Sequence, residues 1–218
     1  MLQAVGKREL LIGERGEARV LEKHGRHLVL EPSGAVRRDR STPSLGRVHS
    51  RGDSTVGYTV DDCSLGRVLM AGTEAGVRAV LLGDEDKVLL EHLHHELPLA
   101  GLKQCSRKSQ PWKDVVLSHL NAERAASDLS LCLEGTPFQL RVWQALCEIP
   151  VGSSRSYAEV AAAIGSPRAM RAVGTACGNN LLAVLVPCHR VVRADRSPGR
   201  YRWGLERKRL LLDRERCL

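Results

Sequence analysis

Val184-Leu185-Val186-Pro187-Cys188-His189-Arg190-Val191-Val192 is the stretch around which the 218-residue chain is organised. The apolar, β-branched run before the proline predicts a buried strand. Pro187 has no N–H to give to a ladder, so it stops the pairing and fixes the backbone where Cys188 emerges. A thiol held there is either a buried structural cysteine, the commoner fate of a free cysteine, or a nucleophile. His189 and Arg190 favour the second reading: basic neighbours draw a thiol below its free value of about 8.5, toward the thiolate that attacks electrophiles.

Upstream of this stretch, the sequence after Gly135 is helical and clearly punctuated. Thr136 and Gln139 form a capping box, with Pro137 at the first helical position. Phe138, Val142, Leu146 and Ile149 fall on one face, and Pro150-Val151-Gly152 ends the helix. Ser156 and Glu159 repeat the capping device for a short helix through Ile164. Gly165 stops it, and Ser166-Pro167 opens another helix from Arg168 to about Cys177, completing a helix-turn-helix. In that second helix Ala169, Ala172, Val173, Gly174 and Ala176 are small, and Arg168 and Arg171 flank them. A major-groove reader carries Asn, Gln, Ser and Arg toward base edges. This helix has few of these and suits close approach to a narrow groove, with an arginine to insert. A small-faced helix packed into a core is the alternative on this pattern alone.

Further upstream, Val56–Val60, Cys63–Ala71 and Val77–Leu82, separated by turns at Asp61-Asp62 and Gly72–Gly76, predict a small antiparallel sheet. A helix is expected from Asp84 through Leu97, with Val88, Leu89, Leu90, Leu93 and Leu97 as its apolar face, and a second over Trp112–Glu123. Leu129–Leu133 is expected to return as a strand, so this region is an α+β domain. His92, His94 and His95 lack the i, i+4 spacing of a zinc helix and read as a solvated face, so no metal is expected. In residues 1–55, Leu10-Leu11-Ile12 and Leu28-Val29-Leu30 are candidates to pair as strands around Gly13 and Gly25. Pro32–Ser54, rich in Pro, Gly, Ser and Arg, reads as a linker or disordered basic arm. The domains expected are thus a basic extension over 1–55, an α+β domain over 56–133 and a helix-turn-helix domain over 134–218.

The net charge is +8, and it is unevenly spread: residues 131–218 carry 14 basic and 7 acidic side chains, while residues 51–130 are net negative. Thirteen of those 14 are arginines, the residue suited to phosphate and groove contacts, which points to a polyanion. Aromatics make up 3% of the chain, so the core must be aliphatic. Seven scattered cysteines without a CxxC pair or a leading signal peptide read as reduced thiols inside a cell. No apolar run approaches the roughly 20 residues of a membrane span, so no membrane association is expected. Acidic residues from Glu9 onward disfavour a transit peptide.

In order, Gly135-Thr136-Pro137-Phe138-Gln139, Val142-Trp143, Ser156-Tyr157, Arg171-Ala172-Val173-Gly174, Asn180, Pro187-Cys188-His189-Arg190-Val191-Val192 and Tyr201-Arg202-Trp203-Gly204 resemble the O6-alkylguanine-DNA alkyltransferases, or methylated-DNA–protein-cysteine methyltransferases. The nearest likeness is to the C-terminal half of the bacterial adaptive-response protein. It is dense from Gly135 to Glu215 and sparser from Tyr58 to Leu133, and residues 1–50 do not take part. The resemblance implies a ribonuclease H-like α+β domain, with an antiparallel sheet and helices, followed by a mostly α, winged-helix-like domain carrying the helix-turn-helix.

It also implies a mechanism. Cys188 would take the alkyl group from O6 of guanine, and by extension O4 of thymine, in one irreversible displacement. His189 would accept the thiol proton through a water, polarised by Glu215. Asn180 would brace the active-site turn, and Tyr157 would give a proton to the departing guanine. Val191, Tyr201 and Arg202 would form the base pocket. Arg171 would fill the gap left by the flipped base, with Arg168, Ala169, Ala172 and Gly174 on the DNA-facing side. The partner implied is double-stranded DNA, approached from the minor groove by a monomer without cofactor. The compartment would be the cytoplasm in a bacterium and the nucleus in a eukaryote.

Three features depart from the family pattern. The junction Leu133-Glu134-Gly135 is short, and Asp195–Arg200 carries a proline and an extra arginine where a glycine-containing loop is usual. Residues 1–57 hold no cysteine for a four-cysteine zinc domain, so repair without phosphotriester sensing is expected. Two rivals remain: a non-catalytic binder of alkylated DNA or helix-turn-helix regulator, which would bind without transfer, and a cysteine hydrolase, which would turn over an ester.

Overall fold

The computed structural model describes the backbone of residues 8–12, 18–24 and 27–28, and the whole of residues 55–98, 100–105, 110, 112–123 and 129–217. Strands β1 (Arg8–Ile12), β2 (Ala18–His24) and β3 (His27–Leu28) form an antiparallel sheet in that order. Leu10-Leu11-Ile12, in β1, and Leu28, in β3, therefore lie on either side of β2 instead of pairing with each other, and Val29 and Leu30 lie outside the described residues. The arm expected over Pro32–Ser54 lies outside the described residues.

Strands β4 (Val56–Cys63), β5 (Gly66–Thr73) and β6 (Gly76–Gly83) make an antiparallel meander as expected, but the first turn falls at Ser64-Leu65 and not at Asp61-Asp62, which pair with Val68 and Arg67 inside β4, and Cys63 ends β4; the second turn is Glu74-Ala75. A short strand β7 (Leu102–Gln104) adds to β4 in parallel, so the sheet is mixed, in the order β6-β5-β4-β7. Three residues, one apolar and two polar, carry no alternation to read, and only their pairing with β4 makes them a strand.

Helices α1 (Asp86–Glu96) and α2 (Lys113–Leu120) cover the sheet, shorter at both ends than their apolar patterns suggest. Val88, expected on the buried face of α1, is 43% exposed, and burial rests on Leu89 and Leu93. Leu129–Leu133 does not form a strand: it touches β6 at a single bridge between Leu131 and Val77. That approach needs Gly76, where a Cβ would lie 2.4 Å from the carbonyl oxygen of Ser130.

The second half is helical. Helix α3 (Pro137–Cys147) starts at the Thr136–Gln139 capping box, and Val142, Leu146 and Ile149 are buried as the periodicity requires. Trp143 Nε1 donates to the carbonyl of Ala176 at 2.8 Å, tying α3 to α5 (Met170–Gly178). The Ser156–Glu159 capping box opens α4 (Tyr157–Ala163), and Gly165, at φ +69°, makes the turn toward α5. Strands β8 (Arg155–Ser156) and β9 (Val191–Val192) pair in parallel, and α6 (Leu205–Arg216) closes the chain.

The expected strand at Val184–Val186 is a buried turn. The Val186 N–H donates to the Leu182 carbonyl at 3.0 Å, and Val184 sits at φ +67°, a left-handed conformation costly for a β-branched residue. The apolar run is apolar because it is buried, with Val184 at 7% exposure and Leu185 and Val186 fully covered. Instead of pairing along its length, the segment docks on the edge of β6. The Val80 N–H donates to the Leu181 carbonyl (2.8 Å), and the Ala183 N–H donates to the Val80 carbonyl (3.0 Å). The edge strand of the first half thereby supports the turn that precedes Cys188, and the edge itself is covered. From α6, Arg207 adds a second tie, donating to the carbonyls of Leu65 (2.7 Å) and Gly83 (2.8 Å).

Candidate active site

Asn180 organises the turn. Its side-chain amide donates to the carbonyls of Val186 (2.9 Å) and Leu182 (3.3 Å) and to Cys188 Sγ (3.1 Å), and its Oδ1 accepts from the Leu182 N–H (2.9 Å). One buried side chain thus pins both ends of the strained turn and holds the thiol. Pro187 precedes a single turn of 3-10 helix, Cys188–Arg190, and all three of its side chains are buried.

The expectation that basic neighbours lower the Cys188 thiol is not met. Burial raises it above its ordinary value, and the Asn180 hydrogen bond and the Lys208 charge offset this only in part. Arg190 does not face the sulfur. Its guanidinium donates to the Ile149 carbonyl (2.5 Å) and, through Nε and Nη2, to both oxygens of Glu215 at 2.9 Å. His189 Nε2 lies 2.8 Å from Glu215 Oε1. Burial opposes ionisation of Glu215, but hydrogen bonds from His189 and Arg190 outweigh it and hold the carboxyl at about 2. A carboxylate can only accept, so Nε2 carries the proton and Nδ1 is the bare acceptor. Nδ1 is buried and has no hydrogen-bond partner among the described residues. Burial also holds His189 below its ordinary value, so the imidazole is neutral. The arrangement is a thiol beside a neutral imidazole, oriented by a carboxylate and having one free basic nitrogen.

Cys188 opens onto a cavity of about 1050 Å³ between α5 and the segment from Arg193 to Arg202. Tyr157, Arg171, Gly174, Tyr201 and Arg202 line it, so five of the residues singled out from sequence converge on the thiol. Burial raises the Tyr157 hydroxyl, keeping it a proton donor, and raises that of Tyr201 well above the ordinary value. The Tyr201 hydroxyl is buried without a hydrogen-bond partner among the described residues, and its ring meets His189 edge-on at 6.5 Å. Gly199, at φ +65°, brings the loop backbone against Tyr157, where a Cβ would sit 3.2 Å from the hydroxyl oxygen.

Other candidates lie elsewhere. Val191 is fully buried and does not line the cavity; its carbonyl is bound from behind. Arg168, Ala169 and Ala172 lie along the outer side of α5 and its approach, with Arg168 and Ala172 exposed. Arg202 is held by Glu96 of α1, donates to the Gly178 carbonyl (3.2 Å) and stacks on Trp203 (5.0 Å). His92, His94 and His95 are exposed on α1, and among the described residues no group of three His, Cys, Asp or Glu side chains could hold a metal ion. No described helix is long and apolar enough to cross a membrane.

Sequence reasoning missed Lys208 and Cys177. Lys208 is fully buried, and its Nζ donates to the carbonyls of Val191 (2.5 Å) and Arg200 (3.4 Å), joining α6 to both ends of the cavity loop. Burial pushes its ammonium down to about 8. The available signal was its being the one lysine among the basic residues of 131–218. Cys177, on α5, also lines the cavity, its thiol raised by burial.

A helix-turn-helix set against a thiol with a histidine–carboxylate pair defines a class of protein built around one nucleophilic cysteine. Residues 137–217 match the family model described as 6-O-methylguanine DNA methyltransferase, DNA binding domain. The chain is 35% identical over 159 residues to a methylated-DNA–protein-cysteine methyltransferase of Methanosarcina barkeri, covering 72% of this chain and 96% of that protein. It is 44% identical over 167 residues to the bifunctional transcriptional activator/DNA repair enzyme Ada of Escherichia coli, covering 77% of this chain. The match spans about half, 47%, of the length of Ada. The crystal structure of Mycobacterium tuberculosis OGT in complex with DNA superposes with a TM-score of 0.63 at 34% identity, covering 74% of this chain and 93% of that one. The chain belongs to the methylated-DNA–protein-cysteine methyltransferase family.

Proposed function

We propose that the protein repairs alkylated DNA by moving the alkyl group from O6 of guanine, and from O4 of thymine, to its own Cys188. The observation that carries this reading is the convergence of Cys188, Tyr157 and Arg171 on one cavity, with the His189–Glu215 pair behind the thiol. Nδ1 of His189 takes the Cys188 proton through a water. The sulfur then attacks the alkyl carbon: the S–C bond forms as the C–O6 bond breaks, and the electron pair returns to the base. Tyr157 gives its proton to the departing guanine. A thioether is not a leaving group at neutral pH, so each molecule acts once. The residues used are all in the chain, and the donor is the lesion.

The target base must leave the duplex to reach a buried thiol. Arg171, exposed on α5 at the cavity rim, fills the vacated stack, while the small outer surface at Ala169, Ala172 and Gly174, with Arg168 beside it, follows the minor groove. Tyr201 and Arg202 hold the extruded base, and Val191 backs the pocket from behind. The protein acts as a monomer, in a reducing compartment where its seven free cysteines persist. The two halves correspond to a ribonuclease H-like domain over 56–133 and a winged-helix-like domain over 134–218. The mixed four-stranded sheet and the β8–β9 ladder beside α4 and α5 support that division.

Incubation with duplex DNA carrying radiolabelled O6-methylguanine should move at most one label to each protein molecule, and Cys188→Ala should abolish transfer. Label that stays on the DNA with folded wild-type protein overturns the reading in favour of a binder without transfer chemistry.

A further inference from the structure

The cavity beside Cys188 is lined by five arginines and no carboxylate. Two are engaged within the protein: Arg202 with Glu96 and Arg209 with Glu206 (2.7 Å). Arg171, on the α5 side, and Arg193 and Arg200, on the loop side, are exposed, and their guanidiniums make no hydrogen bond or ion pair to a side chain among the described residues; the carboxylate of Asp195 acts on Arg193 only through its charge. The α5 side is accounted for by the proposed function. The loop side is not.

That loop is pre-ordered. The Arg193 N–H donates to the Ser197 carbonyl (2.9 Å), the Arg196 N–H to the Arg193 carbonyl (3.0 Å), and Lys208 holds the Arg200 carbonyl. Asp195, the one acidic residue of the loop, is occupied inside it, accepting from the Ser197 N–H (2.9 Å) and hydroxyl (2.6 Å). Arg196 turns away to Glu159 (3.3 Å). A stiff loop therefore presents two guanidiniums at the cavity rim whose donors are not taken up by side chains of the described residues, and guanidinium binds phosphate bidentately at little entropic cost when its backbone is already fixed.

We infer that Arg193 and Arg200 form a phosphate clamp on the cavity loop, gripping the backbone of the strand whose base enters the cavity, separately from Arg171 on α5. The inference rests on the reading of duplex DNA as the partner and adds the residues that hold it beyond the helix-turn-helix. Phosphate contacts fix position and carry no sequence information, so the clamp serves intact and alkylated duplex alike.

The test is the salt dependence of binding to an unmodified duplex by full-length wild type, Arg193→Gln, Arg200→Gln and the double variant, with Arg196→Gln as control. Each clamp arginine should reduce the slope of log K against log salt by about 0.9, and the pair by about 1.8, with affinity at 0.15 M salt falling about fivefold per arginine. Arg196→Gln should leave the slope in place. The same variants, assayed with free O6-benzylguanine, should lose less than with alkylated duplex, because the free base has no phosphate. An unchanged slope in the double variant, an equal change in Arg196→Gln, or parallel losses on free base and duplex each overturn the clamp. A wild type that binds duplex and fails to transfer label sinks the alkyltransferase reading and leaves the clamp to be judged by its slope. A wild type that binds no duplex sinks both.

Discussion

Replacing Glu215 with glutamine isolates the one charge on which the site's polarity depends. The carboxylate accepts from His189 Nε2 at 2.8 Å and from Arg190 Nε and Nη2 at 2.9 Å, and both donor residues are buried, Arg190 being 4% exposed. Glutamine has the shape but one acceptor oxygen, and its NH2 would face donors. The magnitude can be reached two ways. The carboxyl is held at about 2 against an ordinary 4.5, and at 1.36 kcal/mol per unit this is about 3 kcal/mol, with little discount for a side chain only 11% exposed. Removing one partner of a buried pair costs about 3–5 kcal/mol by general experience, which agrees.

The sign follows from linkage. The folded state holds Glu215 below its unfolded value, so its contribution is complete above about pH 5 and is lost as the pH falls toward 2. Urea unfolding at pH 7, 5 and 3 should give a wild-type-minus-variant difference of about 3 kcal/mol at neutrality that shrinks on acidification. Single-turnover label transfer should slow about 100-fold, the low end for loss of a positioned base. A difference below about 1 kcal/mol at pH 7, or one that does not change with pH, refutes the assignment of this charge.

Asn180→Ala leaves the buried Leu182 N–H without its acceptor and takes one of two donors from the Val186 carbonyl, which keeps the Cys188 N–H (2.7 Å), so stability should fall by about 2 kcal/mol in urea unfolding. It also removes a bond that favours the thiolate, so the pH midpoint of Cys188 alkylation by iodoacetamide should move upward. For Lys208→Met the wild-type-minus-variant stability should rise between about pH 8 and 10.5. The folded state holds the ammonium at about 8, so the unfolded chain binds the extra proton over that window; a flat difference would show that the lysine is solvated.

Local chemistry was legible where it is local. Both capping boxes, the buried face of α3 and the glycine turn between α4 and α5 follow from residue identity at fixed spacing, and they carry the helix-turn-helix without any long-range information. The convergence of Tyr157, Arg171, Tyr201 and Arg202 on Cys188 followed from family resemblance, since nothing in their spacing brings positions 157 and 201 together. What could not be read was set by partners far away in sequence. The run Val184–Val186 has the composition of a strand, yet Asn180 and the edge of β6 fold it into a turn. Strand β7 exists only through its pairing with β4. Arg190 reads as a basic neighbour of the thiol until the position of Glu215, 25 residues later, turns it away.

That last reversal changes what the site is built to do. A thiol activated by nearby cations would be ionised at rest and would react with any small electrophile or oxidant that entered the cavity. Here burial keeps Cys188 protonated, Arg190 is neutralised by Glu215, and the imidazole is neutral with one bare nitrogen. Under the proposed function, charge appears on the sulfur as its proton moves to His189, and the imidazolium so formed would be stabilised by Glu215 within 2.8 Å. Under the proposed function this suits a protein in which each molecule acts once, because a sulfur spent on the wrong electrophile is not recovered. On that reading the nucleophile would be generated as a base fills the cavity, shuts out bulk solvent while leaving the water that relays the proton, and places an alkyl carbon in front of the sulfur, so that selectivity would come from coupling deprotonation to occupancy and not from a standing thiolate.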